Sequence, residues 1–221
     1  MSAETPASAP APAAPIPLLR HPALWLGVAV MALGMAVLAA GFLRARSQPL
    51  PQLGTLPAFS FTRQDGSAWG SAQLKGHPYV ANFIFTRCPT VCPAFTRRMA
   101  HIQKETDAFG PGLQLVSFSV DPAYDTPARL AEYAQKHGAN AARWSFLTGD
   151  YAAIKDTVVN SFKIYMDRQS LDEADVMGIF HGDHFVLVDG MGEIRGYYES
   201  RDEEAFQRLL RDAARLAREN G

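Results

Sequence analysis

Cys88 and Cys92 are the only cysteines in the 221-residue chain, and they stand four apart in the run Phe85-Thr86-Arg87-Cys88-Pro89-Thr90-Val91-Cys92-Pro93. Pro89 disfavours a helical Cys88 and so ends the preceding strand there, whereas Pro93 suits the first turn of a helix. Cys92 is therefore expected at a helix N-terminus, where unpaired N–H groups and the macrodipole favour a thiolate. Arg87, Arg97 and Arg98 could add positive charge. Two sulfurs one turn apart can share a metal or close a disulfide. A pair of inert structural cysteines is the plainer reading, but the strand-to-helix turn and its two prolines favour redox or metal chemistry. Thiolates are soft ligands suited to Cu(I), whereas zinc would want a closed tetrahedron.

The next ligand to look for is histidine. Of the six, His21 precedes an apolar run, His77 lies before Pro78 in a turn, and His101 sits within a predicted helix as a surface or packing residue. His137 comes just before Gly138, where a cation suits a helix end. His181 and His184 stand at the entry to the strand Phe185–Asp189. His184 reads as an ordinary strand residue, and His181, in the loop before it, reads as the candidate ligand. All 15 prolines fall at or before Pro127. That loop therefore lacks the cis-proline with which thioredoxin-type oxidoreductases face their cysteines, and carries histidine instead. The substitution favours metal capture over general disulfide exchange.

The elements that must position these residues are readable in outline. Phe59–Arg63 and Ser67–Trp69 flank Asp65-Gly66, a hairpin signal. Tyr79–Phe85 is an apolar run of the kind buried on both faces of a sheet. Pro93–Phe109 is predicted as a helix with Phe95, Met99 and Ile102 on its inner stripe and Gly110 as its stop. Leu113–Val120 is the next strand, and Thr126-Pro127 opens a second helix carrying Leu130 and Tyr133. Asp150 caps a third, with Ile154, Val158 and Phe162 inward. His184–Asp189 and Glu193–Tyr198 form a hairpin, and Ser200 with Glu203 suggests a capping box for a last helix. This order describes an α/β fold: a thioredoxin-like mixed sheet flanked by helices.

A different composition precedes that domain. Residues 1–21 form a tail rich in Ala, Pro and Ser. From Pro22 to Leu43 no residue is charged, and about 20 apolar residues span a bilayer core. The run is hydrophobic all round and is read as one transmembrane helix, an anchor rather than a cleaved leader. Residues 44–56 are a Pro-containing tether, and residues 57–221 the thioredoxin-like domain. Arg44 and Arg46 against Arg20 give a weak positive-inside vote for a cytoplasmic domain. A working cysteine pair argues for an oxidising compartment, and that argument is preferred. Overall, 48% hydrophobic and 19% charged residues exclude a disordered chain. Twenty-one cationic and 22 acidic residues nearly cancel, which leaves no electrostatic footprint for nucleic acid. Two cysteines exclude a disulfide-dense scaffold and a Cys₄ zinc site.

The cysteine motif is similar to that of the Sco/SenC family of copper-binding thioredoxin-like proteins, which support assembly of cytochrome c oxidase. Asp121-Pro122-Ala123-Tyr124-Asp125-Thr126-Pro127 resembles that family's second signature, and Phe146-Leu147-Thr148-Gly149 its third. Phe180-His181-Gly182-Asp183-His184-Phe185-Val186-Leu187-Val188-Asp189 resembles the segment bearing its histidine ligand, and the spacing to Leu187-Val188-Asp189 puts that ligand on His181. Thr90 stands where the family often has Asp, Gly182 where Ser or Thr is usual, and Phe180 where Asp commonly precedes the ligand. Asp121 reads equally as an outer-shell or partner-binding residue and as a turn residue ahead of Pro122.

The resemblance implies a copper chaperone anchored in the inner membrane as a single-pass protein, its C-terminal domain in the periplasm. Cys88, Cys92 and His181 would hold copper, as Cu(I), Cu(II) or both, for delivery to the binuclear copper site of cytochrome c oxidase subunit II. Other copper chaperones or a thioredoxin-like reductant are further partners in this reading. The rival is an enzyme, a thiol–disulfide oxidoreductase that reduces the acceptor's cysteines with the Cys88–Cys92 pair. A peroxidase using one attacking cysteine is a weaker third.

Overall fold

A computed structural model describes residues 22–47, 49–88, 92–168 and 179–219, with backbone alone for 42–47, 92, 168 and 179–181. The N-terminal tail with His21, and the residues Pro89, Thr90 and Val91 between the cysteines, lie outside the described residues. The chain divides into two units, residues 1–49 and 50–221.

In the first unit, Pro22–Ser47 forms a single helix, α1. Every residue from Pro22 to Gly41 is exposed, Leu38 at 76%. Such a stretch has no polar face to offer water, and it is long and apolar enough to cross a membrane.

The second unit opens with a two-residue strand, β1 (Gly54–Thr55), followed by the expected hairpin of β2 (Ser60–Arg63) and β3 (Ala68–Gly70). Gly66 takes φ +83°, and the Asp65 carboxylate accepts from the Ser67 N–H and hydroxyl at 2.9 and 2.6 Å. After a single turn of helix, α2 (Ser71–Leu74), comes β4 (Tyr79–Ile84), whose six residues are all buried.

Helix α3 (Cys92–Glu105) buries Phe95, Met99 and Ile102, the stripe its periodicity announces. It stops short of the expected Phe109. The Thr106 hydroxyl bonds back to the Ile102 carbonyl at 2.6 Å, and the chain tightens into a 3₁₀ turn (Asp107–Gly112) with Gly110 at φ +51°.

Strand β5 (Gln114–Ser119) and helix α4 (Pro127–Lys136) follow, α4 being N-capped by the Thr126 hydroxyl. A further buried strand, β6 (Trp144–Thr148), precedes helix α5 (Tyr151–Asp156), which Asp150 caps through the Ala153 N–H. The third predicted helix is α-helical only as far as Asp156, because Thr157–Ser161 widens into a π turn, yet Ile154, Val158 and Phe162 are buried as expected. Two short strands, β7 (Met166–Arg168) and β8 (Ile179–His181), lead to the hairpin of β9 (His184–Val188) and β10 (Glu193–Glu199), and helix α6 (Glu203–Glu219) closes the fold. Ser200 does not cap α6. Its N–H is spent on the Asp183 carbonyl, and Asp202 takes the role by accepting from the Glu204 N–H at 2.8 Å.

The eight-stranded sheet runs β1-β10-β9-β4-β5-β6-β2-β3, with β4, β5 and β6 parallel and β9 antiparallel to β4. Among the described residues β7 and β8 pair only with each other. The mixed sheet with its flanking helices is the thioredoxin-like architecture expected from the sequence.

Candidate metal centre

The cysteine turn grows directly out of the most buried strand. β4 ends at Ile84, Phe85 is still in the core, and the chain then turns through Thr86 and Arg87, with the Cys88 N–H donating to the Phe85 carbonyl at 3.2 Å. Cys88 is buried, 8% exposed. Cys92 is the first residue of α3, at the helix N-terminus its flanking prolines imply; its side chain lies outside the described residues.

The last residue of β5, Ser119, and the six residues after it fasten this turn. Because β4 and β5 are parallel and Ile84 is level with Ser119, the chain leaving β5 emerges beside the chain leaving β4. Asp125, fully buried, accepts from the Thr86 N–H at 3.1 and 3.3 Å through its two oxygens and also from the Thr86 hydroxyl. The Ser119 hydroxyl donates to Asp125 Oδ2 at 2.6 Å and accepts from the Asp121 N–H at 3.1 Å. Burial pushes the Asp125 carboxyl above its usual range, and the bonds from Ser119 and Thr86 pull against that. Asp121, 1% exposed, accepts from Arg87 Nε at 2.7 Å, and the Arg87 guanidinium lies 4.5 Å from the Tyr124 ring centroid. Arg129 covers the same ring at 3.8 Å.

Of the two readings the sequence left open for Asp121, the turn role is present in its carbonyl, which accepts from the Tyr124 and Asp125 N–H groups, while its carboxylate holds Arg87 beside the cysteine turn. The contacts also show where two of the three nearby arginines go. Arg87 is committed to Asp121, and Arg98 to Glu203 at 3.1 Å and to the Phe206 ring. Thr86, Ser119 and Asp125 went unnoticed as site residues. The available signal was the pair of carboxylates four apart in a seven-residue turn, more acid than a turn requires.

The histidine side is built differently. Ala81 pairs antiparallel with Val186, so three steps further along the ladder Ile84 comes level with Asp183. β9 therefore begins at the edge where β4 ends. His181 is not in a loop: its backbone ends β8, opposite Met166 of β7, and its side chain lies outside the described residues. The Gly182 N–H donates to the Tyr165 carbonyl at 2.9 Å. A Cβ at Gly182 would stand 2.9 Å from the Ile164 Cγ2 methyl, which accounts for a glycine where the resembled family carries Ser or Thr.

The other histidines sit elsewhere. His184 is the first residue of β9, half-buried, with Nδ1 3.8 Å from Asp183. His101 is exposed beside Glu105 and Phe206, and His137 caps α4 against Tyr133. Among the described residues no three His, Cys, Asp or Glu side chains cluster as a metal site, and two of the three expected ligands are outside that set.

Known proteins share this build. A SCO1 homologue from Bacillus subtilis is 31% identical over 155 residues, 70% of this chain and 78% of its own. The structure of BsSco, described as a member of the Sco family of cytochrome c oxidase assembly proteins with a disulfide switch, matches at 30% identity and a TM-score of 0.66, covering 78% of this chain and 99% of that one. Bradyrhizobium japonicum ScoI, solved with copper bound, matches at 26% identity and a TM-score of 0.60, over 72% of this chain and 99% of its own. The sequence pattern of SCO1/SenC extends from residue 48 to residue 217, across every strand of the sheet and the cysteine turn, and the chain belongs to that family.

Proposed function

We propose that the protein carries copper as cargo, held by the thiolates of Cys88 and Cys92 with the imidazole of His181, and passes it to the binuclear copper site of cytochrome c oxidase during assembly. The observation that carries the reading is the shared sheet edge. The buried strand β4 ends in the Cys88 turn, α3 starts at Cys92, and the chain from His181 into β9 enters at the same edge. Two thiolates and one imidazole form a soft donor set suited to Cu(I). Three ligands leave coordination open, so an acceptor's ligand can enter before one of the donor's leaves.

Disulfide formation would remove two electrons, join the two sulfurs and leave His181 as the single remaining ligand. Copper and disulfide are then alternative occupants of one site. Copper-bound ScoI and the disulfide switch of BsSco support both halves of this reading. Helix α1 supports a single-pass anchor, with the domain on the periplasmic side of the inner membrane where a disulfide can persist. An alkaline phosphatase fused after Gly221 should be active in a bacterial host.

The deciding experiment is anaerobic Cu(I) titration of the reduced full-length chain in detergent, with cysteine alkylation read by mass. About one copper per chain and protection of both cysteines are expected. Equal labelling of both cysteines with and without copper, in wild type and in His181→Ala, would overturn the chaperone reading in favour of a thiol–disulfide oxidoreductase.

A further inference from the structure

The two residues that join the core to Cys88 are both held from outside their own strand. Thr86 gives its N–H and its hydroxyl to Asp125, and Arg87 gives Nε to Asp121 and its guanidinium face to Tyr124. Of these partners Asp125 is the most committed. It is completely buried, and it collects donors from both Thr86 groups and from Ser119.

A carboxylate is an expensive way to shape a turn, since a buried charge must be repaid by its hydrogen bonds. Two simpler roles for it are already filled. Thr126 caps α4, and Asp121, through its own carbonyl, closes the turn by accepting from the N–H groups of Tyr124 and Asp125. What remains is the cluster of donors. Three donor groups aim at its two oxygens, and an amide in its place would point an NH₂ at one of them.

We infer that Asp125 is a positioning residue for the cysteine pair: through Thr86 it fixes where Cys88 leaves β4, and so sets both the ease of closing the Cys88–Cys92 disulfide and the fit of the thiolates to a metal. The inference rests on the reading of Cys88 and Cys92 as the working pair. Disulfide closure demands a narrow range of Cα separations and Cβ directions. A Cys88 released from the β5 side samples geometries outside it, and the equilibrium with an external dithiol moves accordingly. In that exchange the protein dithiol loses two electrons and two protons to the reference disulfide, which becomes the dithiol.

The test uses the full-length chain in detergent, as wild type, Asp125→Asn, Thr86→Val, Thr86→Ser and Asp189→Asn. The last removes a buried carboxylate that holds Arg195 at the far end of the sheet, and serves as a control for simple destabilisation. Three quantities are read: the disulfide equilibrium against a reference dithiol buffer, Cu(I) affinity against a chromophoric chelator, and the thermal midpoint. Asp125→Asn and Thr86→Val should each shift the disulfide equilibrium about tenfold, close to 30 mV for a two-electron couple, and weaken Cu(I) binding in parallel. Thr86→Ser, which keeps the hydroxyl, should behave as wild type. Asp189→Asn should lower the thermal midpoint and leave the disulfide equilibrium in place.

If Asp125→Asn and Thr86→Val lose thermal stability as the control does and leave the equilibrium unmoved, Asp125 is structural only and the inference falls. Should Asp125→Asn fail to fold, Thr86→Val decides the matter by the same measure. A wild type that neither forms the disulfide nor binds copper would instead bring down the reading of the pair itself.

Discussion

The cysteine turn and the histidine ribbon reach one edge of the sheet from opposite mechanical extremes. The turn continues β4, a fully buried strand paired with β5 on one side and β9 on the other, and it is fastened by two buried carboxylates. His181 sits on a pair of three-residue strands that, among the described residues, are hydrogen-bonded to each other and to no other strand of the sheet. A two-stranded ribbon is marginal on its own, whereas a central parallel strand is among the last elements to open. In the proposed chaperone the thiolates would then fix the metal's position, and the imidazole is the ligand that can be exchanged when an acceptor arrives.

The largest effects should come from the rigid side. Cys88→Ser and Cys92→Ser should each weaken Cu(I) binding at least about a thousandfold, roughly 4 kcal/mol, in chelator competition. Next, Arg87→Gln removes the guanidinium that Asp121 pairs with at 2.7 Å, and the Asp121 carboxylate has no exposure to solvent. Loss of one member of a buried pair costs about 3 kcal/mol, and denaturant unfolding should show it. An unchanged midpoint would mean that the clamp is not rigid and that the contrast between the two arms fails.

On the other side, His181→Ala should weaken Cu(I) binding by about 10- to 100-fold, well short of the cysteine variants and within the range seen for supporting residues, while His184→Ala stays near wild type. A greater loss from His184→Ala would move the ligand to β9 and erase the distinction. Gly182→Ser should destabilise the chain by about 1–2 kcal/mol through overpacking against Ile164. Ile164→Leu, which removes the offending Cγ2 methyl, should recover most of the loss in thermal unfolding. The smallest effect lies away from both arms. Burial, Lys136 and Arg97 hold the His137 imidazole below its usual range. As pH falls the unfolded chain takes up that proton first, so stability is lost as pH drops from ~6.5 through the native value. His137→Gln should flatten this slope in unfolding measured at several pH values.

Much of this was legible in the chain because the strongest signals are local. Pro89 and Pro93 bracket the turn, Gly66 needs its positive φ, and β4 and α3 show their burial in period and composition. What escaped was what depends on distant partners. Strand β6 reads as an unremarkable Trp-Ser-Phe-Leu-Thr until β5 and β2 flank it. The strands β7 and β8 have too few residues to show a period, so His181 read as loop. Ser200 looked like a cap because nothing in its neighbourhood announces that its N–H belongs to Asp183, and Asp202 stood two residues on. Asp125 drew no reading of its own because only the parallel register of β4 and β5 brings it to Thr86.

The sheet order carries one consequence for how the chain must come into being. Gly54 pairs with Ile194, and the central strand β4 receives its antiparallel neighbour only when β9 has been made. Synthesis proceeds from the N-terminus, so the cysteine turn exists as covalent chain well before the ribbon and β9 that complete its edge. Pairings this distant in sequence close slowly, and during that interval both thiols are open to any oxidant or metal in the compartment. A chain cut before His184 would leave one side of β4 bare, a ready template for aggregation. The topology thus leaves the cysteine turn chemically complete before the sheet that frames it is closed.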